Sequence, residues 1–533
     1  AWCVALPPSA PTQMGAALPL ALASALAATD PSRAPALDAD ALVIGAGMAG
    51  LGAAAHLCRA GYAVAILEAR DRVGGRANTL RLPRSGLIAE AGASWLHGAL
   101  PEHNSLLRLA KQIALPTRQG NDDTSETWAL QLTKGEPGVQ RATRPGAAED
   151  RSWQCCARAF SEHLKTAASS TPEATPLQTL FDSWARVVPA PLPLMACGDL
   201  NGRDARFWAG CASYVHAEWA DLEHGVPMSR IGVRGVAEGF PLSGPNDVVD
   251  PASGGMSTLA DALLQRALGA GSACELVTMA EVRRLRVNAS SAPGEAGVVA
   301  DLADGRSLRG AFAVTTVPLG VLQGGKVRFE PPLPRAKQEA LGALGVGLLD
   351  RINRVYSKRF WGRDAPGNWH LVVPEAPPAK AWGARGAELA FWNAARYGAV
   401  APSGEGGDEY AELALFLGAD TARAWEREPS DATLVERADA LVRALWPHTH
   451  SAALVDAAVS RWGRDPYANG SYSYLPPGAR PSDRSALCAP QADRLYWAGE
   501  HCSLANPATA HGALDSGEDA ARAAAARHAP RKA

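Results

Sequence analysis

The stretch ALVIGAGMAGLGAAAHLCRAGYAVAILEARDRVGGR, residues 41–76, decides the fold of this 533-residue chain. It starts with an apolar run that ends in GAGMAG (45–50), and helical spacing follows over LGAAAHLCRA (51–60). A second apolar run, YAVAILEA (62–69), comes next. Two runs of strand length around one helical segment predict a strand–helix–strand unit with parallel strands.

The hexamer GAGMAG matches the G-x-G-x-x-G pattern of dinucleotide sites. Gly45 permits a tight turn, Gly47 lets backbone approach a pyrophosphate, and Gly50 lets the helix pack closely on the strand. The phosphates would lie at the helix N-terminus, where unpaired N–H groups point outward. Glu68, at the end of the second strand, could accept hydrogen bonds from ribose hydroxyls, and its charge disfavours NADP. A glycine-rich turn without a ligand is the alternative.

The stretch RDRVGGR (70–76) then places three arginines around two glycines. A simple NAD site does not need such a run. Gly75 followed by Arg76 predicts a second stretch of backbone close to the same diphosphate, with a cation that offsets its charge. Arg72 taken alone is equally compatible with a solvated turn.

The composition, 47% hydrophobic and 20% charged, is typical of a soluble globular protein of two or three domains. The net charge of −2 gives no argument for nucleic-acid binding or stable membrane association. Nine cysteines without a CxxC pair favour buried thiols in a reducing compartment, with neither a disulfide framework nor a zinc site. His448 and His450 lack partners at ligand spacing, so no metal is expected.

Residues 1–37 form an N-terminal segment of different composition, rich in Ala, Pro and Ser. Its apolar run at 14–28 has the length of a signal-peptide core but no basic residues before it. We expect either a targeting segment within 1–30 or a disordered leader. No later segment reaches the length of a membrane span, so we expect a soluble protein, cytoplasmic or organellar rather than secreted.

Local patterns predict several further elements. Residues 257–268 and 431–445 have helical apolar spacing, with Ser257 and Asp431 as candidate caps. Residues 289–297 should connect two strands of a hairpin, VRRLRVN and GVVADLA. Loops are expected at 165–176 and 401–408.

The opening stretch resembles the FAD-binding start of the flavin-containing amine oxidases. This family includes monoamine oxidases, polyamine and spermine oxidases, and lysine-specific histone demethylases. Four further blocks resemble the family in matching order, so the resemblance spans 38–527: AEAGASWLHG (89–98), TVPLGVLQGGKVRFEPPLP (316–334), SRWGRDPYANGSYSYLPPG (460–478) and LYWAGEHCSLANPATAHGALDSGEDAA (495–521).

The resemblance implies an α/β flavoenzyme of two domains. A Rossmann-like FAD domain of the glutathione-reductase type would be assembled from 38–105, 253–330 and 480–527. An α+β substrate-binding domain, a mixed sheet flanked by helices, would take 106–252 and 331–479. Matching the blocks implies that FAD contacts Gly45, Gly47, Met48, Gly50, Glu68, Arg70, Gly75, Arg76, Gly92, Ser94, Trp95, Val282, Trp462, Gly499, Glu500 and Thr509.

The resemblance also implies an activity. A hydride would pass from the carbon next to a neutral amine to flavin N5, the imine would hydrolyse, and molecular oxygen would reoxidise the flavin and give hydrogen peroxide. A polyamine oxidase-like enzyme acting on a small amine is the leading hypothesis, with the oligomeric state open. The alternatives are a demethylase-like enzyme, an L-amino-acid oxidase-like enzyme, and a flavin-binding protein with weak or lost oxidase activity.

Five positions carry the catalytic expectations from this resemblance. Tyr472 is the candidate aromatic wall, with a tyrosine of the core as the alternative. Ser471 stands where monoamine oxidases attach FAD to a cysteine, so FAD should be bound non-covalently. Thr509 stands where those enzymes have a second aromatic residue, which leaves the aromatic cage incomplete. His97 is either a substrate-facing or a structural histidine. Arg351 replaces a lysine that holds a water against flavin N5, or is a structural strand residue.

Overall fold

The computed structural model describes residues 38–98, 100, 102–120, 125–132, 139–143, 147–187, 205–216, 220–239, 246–292, 295–372, 389–402, 409–449 and 451–531. Residues 1–37, for which a targeting segment or a disordered leader is expected, lie outside these residues, as does His450. Among the helices in the described ranges, none is both long and apolar enough to cross a bilayer.

The described residues form both strands and helices along the whole of their length. The strands are β1 (Ala39–Ile44), β2 (Val64–Leu67), β3 (Thr79–Arg81), β4 (Ile88–Glu90), β5 (Trp95–Leu96), β6 (Thr117–Gly120), β7 (Ser125–Leu132), β8 (Val139–Thr143), β9 (Asn246–Val249), β10 (Glu275–Val277), β11 (Val282–Val287), β12 (Val298–Leu302), β13 (Ser307–Thr315), β14 (Arg328–Glu330), β15 (Gly345–Gly347), β16 (Leu349–Tyr356), β17 (Asn368–Val372), β18 (Leu389–Trp392), β19 (Val400–Pro402), β20 (Glu409–Gly418), β21 (Leu454–Val459), β22 (Tyr472–Tyr474) and β23 (Leu495–Trp497). The helices are α1 (Met48–Arg59), α2 (Ser105–Gln112), α3 (Ala147–Ala167), α4 (Leu177–Val187), α5 (Ala205–His216), α6 (Val233–Gly239), α7 (Ser257–Ala267), α8 (Leu319–Gln323), α9 (Arg335–Ala343), α10 (Ala419–Glu426), α11 (Asp431–Leu445), α12 (Pro481–Cys488) and α13 (Ala510–Ala525).

The first sheet has eight strands in the order β10-β2-β1-β13-β12-β11-β14, with β23 paired to β13. Its centre, from β10 through β2, β1 and β13 to β23, is parallel. β1 and β2 are buried along their whole length, which explains why they read as continuous apolar runs. The strand–helix–strand prediction is confirmed, and the hairpin prediction is confirmed by antiparallel β11 and β12.

Helix α1 packs against α7 and against α13, which comes from the far end of the chain. Small residues make this approach possible. A side chain at Gly517 of α13 would overlap the Ala49 carbonyl, and one at Gly52 of α1 would overlap Leu514. The N-termini of α1 and α13 are thereby held side by side at one edge of the sheet.

The second sheet is mixed, in the order β21-β16-β20-β18-β17-β7-β8, with β19 paired to β20. The β7–β17 pair is parallel, whereas β16, β18, β20 and β21 pair antiparallel. Helix α11 covers it, because Leu434 and Leu441 pack in one apolar core with Ile352 and Leu415 of the strands. The expected α/β class, with a parallel sheet and a helix-flanked mixed sheet, is confirmed, whereas the domain boundaries stay a prediction.

The two helix-cap predictions were wrong by one residue. Ser430, in extended conformation, caps α11 by accepting a hydrogen bond from the Thr433 backbone N–H at 3.3 Å, and Asp431 is already helical. Met256 precedes α7 without a side-chain cap, and the Ser257 hydroxyl accepts a bond from Thr79 N instead. A cap must precede the first helical residue, and the sequence did not place that boundary to the residue.

The loop predictions were partly wrong. Helix α3 extends to Ala167, into the loop predicted at 165–176. Strand β19 takes residues 401–402 of the loop predicted at 401–408, and the remainder of that loop lies outside the described residues.

The prediction of unpaired thiols was wrong. Disulfides join Cys58 to Cys274, Cys156 to Cys211 and Cys488 to Cys502. Their Cα atoms lie 6.1, 5.9 and 5.6 Å apart, within the range for disulfides. The partners are 216, 55 and 14 residues apart in the chain. Since the fold rather than the spacing brings them together, spacing could not reveal them.

Candidate active site

A cavity of about 330 Å³ lies where the helix N-termini of the first sheet meet β16, β20 and β22. Its size is within the range of ligand pockets. Nearly all the site residues expected from the sequence line it: Gly45, Gly47, Met48, Glu68, Arg70, Gly75, Arg76, Gly92, Ser94, Trp95, His97, Val282, Arg351, Trp462, Tyr472, Gly499, Glu500 and Thr509.

Gly50 is the one expected residue that does not line the cavity, and its surroundings explain why. A side chain there would overlap the Gly45 carbonyl oxygen, so Gly50 serves the close packing of α1 on the loop. Gly45 has a φ of +102°, a conformation that favours glycine. A Cβ at Gly47 would meet no protein atom within 4 Å, which leaves that backbone open toward a ligand.

The second glycine stretch lies directly against the first. The Gly74 N–H donates to the Ala46 carbonyl at 2.8 Å, and Gly75 has a φ of +60°. The buried Glu68 carboxylate fixes both stretches, because it accepts hydrogen bonds from the backbone N–H of Ala46 at 2.7 Å and of Arg70 at 2.9 Å. Two loops of close-packed backbone therefore line one side of the cavity.

The two arginines after these glycines are held by acidic partners. Arg70 pairs with Asp465 at 2.7 Å and lies over the ring of Tyr467, 5.2 Å from its centroid. Arg76 donates to the Glu500 carboxylate at 3.0 Å and to the Ser471 carbonyl at 2.8 Å. Both guanidinium groups line the cavity, and their hydrogen-bond partners fix their positions.

Glu500 is a buried carboxylate at the centre of a polar network. Burial alone would raise its pKa, but the charges of Arg76, His501 and Arg484 and a hydrogen bond from Ser473 outweigh burial and lower the pKa to about 2. The Ser473 hydroxyl lies 2.6 Å from this carboxylate. Glu500 is therefore ionised over the physiological range and holds the C-terminal segment against the glycine loops.

Thr509 is the N-cap of α13. Its hydroxyl accepts a hydrogen bond from the Gly512 N–H at 2.9 Å and donates to the Asn506 carbonyl at 2.9 Å. The cap directs the positive end of the 16-residue helix toward the cavity. The structure thus gives the hydroxyl a structural task, and a direct part in the chemistry stays a prediction.

Tyr472 and His97 lie in the aromatic part of the cavity. The Tyr472 hydroxyl donates to the Leu222 carbonyl at 2.9 Å, which fixes the ring, and burial and then the charge of Glu223 raise its pKa well above the usual value. Burial lowers the pKa of His97 despite its hydrogen bond with the Asn246 side chain. His97 is therefore neutral near pH 7.

Arg351 is a buried cation within a box of aromatic rings. Its side chain donates to the Glu90 carbonyl at 2.8 Å and to the Ser94 hydroxyl at 2.6 Å. Its guanidinium carbon lies 4.4 Å from the ring centroid of Phe416 and 5.1 Å from that of Trp392. Burial lowers its pKa to about 10, so it is protonated at neutral pH.

Two buried glutamates, Glu90 and Glu412, are the acidic counterparts of Arg351. Burial raises the pKa of Glu412 to about 8, although the Arg351 charge opposes this shift. Burial likewise raises the pKa of Glu90 to about 7, against hydrogen bonds from Met256 and Thr79. One cation beside two carboxyl groups with raised pKa values makes this part of the site sensitive to pH.

Sequence reasoning missed several residues of the cavity. Glu223 and Leu222 come from a turn without any motif, and Tyr467 stands inside the block 460–478 without a distinct pattern. Phe416 had a weak signal, since the run ELALFLG predicts a buried strand but not which face meets a ligand. Glu223 is the notable omission because it adds an exposed carboxylate to the aromatic part.

A family model described as flavin containing amine oxidoreductase matches residues 48–525. The chain belongs to this family. The resemblance seen in the sequence blocks is therefore confirmed, and membership implies a flavin cofactor. The residues fit such a cofactor, because two glycine loops, a helix N-terminus and the Glu68 carboxylate adjoin the open backbone at Gly47.

Curated relatives include both polyamine oxidases and demethylases. The chain is 28% identical to Lysine-specific histone demethylase 1 homolog 2 of Oryza sativa subsp. japonica, over 93% of this chain and 58% of that protein. It is 28% identical to Polyamine oxidase 4 of the same plant, over 90% and 87%, and 27% identical to Polyamine oxidase 2 of Arabidopsis thaliana, over 89% and 86%. The chain thus spans only about half the length of several demethylase relatives.

Solved structures show the same fold. A putrescine oxidase bound to putrescine is 21% identical, with a TM-score of 0.63 over 92% of this chain and all of that one. A double mutant of putrescine oxidase, made to redesign cofactor binding, is 19% identical with a TM-score of 0.63 over the same shares.

Proposed function

We propose that this chain is an FAD-dependent amine oxidase whose substrate is a small amine of the polyamine class. The observation that carries this proposal is one continuous cavity. It joins the glycine loops, suited to a dinucleotide, to a part walled by Tyr472, Trp95 and Phe416. A flavin bound there would accept a hydride from the carbon next to an amine nitrogen.

The residues of the aromatic part would orient the amine. Aromatic faces are rigid, favour a cation or amine nitrogen, and exclude water. The neutral imidazole of His97 can accept a hydrogen bond from an amine N–H. Glu223 would attract a second, protonated amino group, which favours a diamine or polyamine over a monoamine. Its substitution by Gln should raise KM for such substrates more than it lowers kcat.

Non-covalent attachment of FAD is part of the proposal. Ser471, at the position of the attachment cysteine of monoamine oxidases, exchanges hydrogen bonds with the backbone of Leu349 at 2.9 Å. No cysteine lines the cavity among the described residues. Denaturation followed by ultrafiltration should therefore release the flavin, whereas flavin that stayed with the chain would contradict non-covalent binding.

Molecular oxygen is the proposed electron acceptor, which would make hydrogen peroxide the second product. The second candidate function is demethylation of a lysine side chain, because demethylase relatives match as well as polyamine oxidases do. An amino-acid oxidase is less favoured. Two terminal nitrogens of Arg351 already donate to Glu90 and Ser94, so they are engaged within the protein.

Anaerobic mixing with candidate substrates tests the proposal. The holoprotein is mixed with spermine, spermidine, putrescine, an N-acetylated polyamine, a lysine-methylated peptide and L-amino acids, and the flavin absorbance is followed. We expect polyamines to bleach the oxidised flavin fastest. Bleaching by the methylated peptide alone would favour demethylation, and bleaching by none of them would indicate a flavin-binding protein without this activity.

A further inference from the structure

Three potential metal ligands cluster beside the cofactor cavity. The side-chain ligand atoms of Cys488, His501 and Cys502 all lie within 4.8 Å of one another. Cys488 ends α12, and His501 and Cys502 end a short 3₁₀ helix, Glu500–Cys502. Two thiolates and an imidazole are a ligand set that zinc prefers, and such a set leaves a fourth position for water.

The imidazole of His501 gives a second and independent reason to expect a metal ion at this cluster. It is buried, with 1% of its surface exposed. Neither ring nitrogen has a hydrogen-bond partner within the described part of the chain. Because a buried polar group without a partner is costly, an imidazole in this state is prepared for a ligand that the protein itself does not provide.

The disulfide between Cys488 and Cys502 decides whether that ligand can bind. While the two sulfurs are joined in a disulfide, neither of them is available as a thiolate ligand. We propose that Cys488, His501 and Cys502 bind one zinc-type divalent cation once this disulfide is reduced to two thiols. This proposal does not depend on the substrate proposed above.

The chemistry of the switch balances with a thiol reductant. Two external thiols reduce the disulfide to two protein thiols and become a disulfide themselves. The cation then replaces the two thiol protons, which leave to solvent, and the site gains two sulfur–metal bonds and one nitrogen–metal bond. Oxidation by hydrogen peroxide reverses the change: the cation leaves, the two sulfurs give up two electrons and pair again, and the peroxide takes these electrons and two protons from solvent to form two water molecules.

The surroundings suit this exchange. Both cysteines are half-buried, so a reductant and a cation can reach them. The ammonium of Lys337 donates hydrogen bonds to the carbonyls of Leu487 and Ala489, on either side of Cys488. These hydrogen bonds fix the backbone on both sides of Cys488.

Metal binding by the reduced holoprotein tests the proposal. The protein is reduced anaerobically with a phosphine, mixed with Zn²⁺, freed of excess metal by gel filtration and analysed by mass spectrometry. We expect one zinc per chain after reduction and none in the oxidised form. With Co²⁺ in place of Zn²⁺, a thiolate-to-cobalt charge-transfer band should appear. Reduced protein that retains no metal, or cobalt without that band, would overturn the proposal.

Variants then identify the ligands. His501→Ala and Cys488→Ser should each lower the zinc affinity at least about tenfold, with retained flavin absorbance as the check on folding. The double variant Cys58→Ser/Cys274→Ser should bind zinc as the wild type does, because no third potential ligand lies beside this disulfide among the described residues. Loss of zinc in that control, or undiminished binding by His501→Ala, would refute the assignment. The cobalt spectrum needs no substitution and stands if a variant fails to fold.

Discussion

At the scale of single residues, Arg351 shows best how surroundings change the meaning of a position. The sequence placed it at the position of a lysine near flavin N5 or in a structural strand. The structure places it on strand β16, where it lines the cavity and is fixed by Glu90, Ser94 and three rings, and its nearness to flavin N5 stays a prediction. A guanidinium with engaged nitrogens is a poor holder of a mobile water.

Arg351→Lys should therefore speed the reaction of the reduced flavin with oxygen several-fold, while it lowers the stability by about 1–3 kcal/mol through lost hydrogen bonds. Stopped-flow mixing of reduced enzyme with oxygen measures the first effect. Arg354→Lys is the matched control, since Arg354 is equally buried on the same strand but does not line the cavity. The prediction would be contradicted if Arg354→Lys sped the oxygen reaction as much as Arg351→Lys does, or if Arg351→Lys left the rate of that reaction unchanged.

Glu412 should make the stability depend on pH. Its pKa rises from an ordinary 4.5 to about 8 in the fold because of burial, so the native state binds more protons than the unfolded chain between these values. The stabilisation that comes from Glu412 is thus fully present below pH 4.5, and it is lost as the pH rises through about 8. Glu412→Gln should flatten this decline in the thermal midpoint, whereas Glu409→Gln, on the same strand, should retain it. A decline that is unchanged in Glu412→Gln would exclude Glu412 as its source.

At the scale of elements, local sequence patterns predicted the strands and helices that depend only on residues close together in the sequence. The strand–helix–strand unit around Gly45, the β11–β12 hairpin and the helices α7 and α11 follow from apolar spacing within short windows. The cap Ser430 was missed because it and Asp431 are adjacent residues that both suit the boundary, and α7 starts after Met256 without a side-chain cap. The box around Arg351 was beyond reach, since β4, β16, β18 and β20 bring its parts from distant segments.

The cap of α13 gives a test at this scale. Thr509→Ala and Ser430→Ala each remove one N-cap hydrogen bond and should each cost about 1 kcal/mol of stability. Only Thr509 lines the cavity, so only its variant should also weaken FAD binding. Urea unfolding and flavin fluorescence titration measure the two effects. Equal FAD affinity in both variants would show that the start of α13 does not contribute to the cofactor site.

At the scale of the whole molecule, sequence reasoning found the family and the fold class but not the way remote segments meet. The cysteines were interpreted mostly as buried thiols because their pairing is a property of the fold, and Cys58 lies 216 residues from Cys274. Glu223 was missed because the fold, and not a local sequence pattern, brings it to the cavity. What the sequence does carry at long range is the order of five family blocks, and that order indicated the family.

The contact between α1 and α13 tests how much this long-range closure matters. Gly517→Ala would push a methyl group into the Ala49 carbonyl and should cost about 1–3 kcal/mol, with weaker FAD binding. Gly342→Ala in α9 is the control. No atom lies within 4 Å of its added Cβ, and helix propensity should stabilise that variant by up to about 1 kcal/mol. Equal stability of the two variants would show that α13 tolerates a wider spacing.

The position of β23 has a consequence for how the protein is made. Synthesis delivers β1, β2 and the glycine loops first, but β13 gains its partner β23 only when residues 495–497 emerge. Glu500 and the start of α13 come later still. A nascent chain therefore cannot complete the cofactor cavity until β23, Glu500 and the start of α13 have left the ribosome. Binding of the flavin in this cavity therefore has to wait for the synthesis of segments that lie more than 400 residues apart, here residues 45–50 and 495–510.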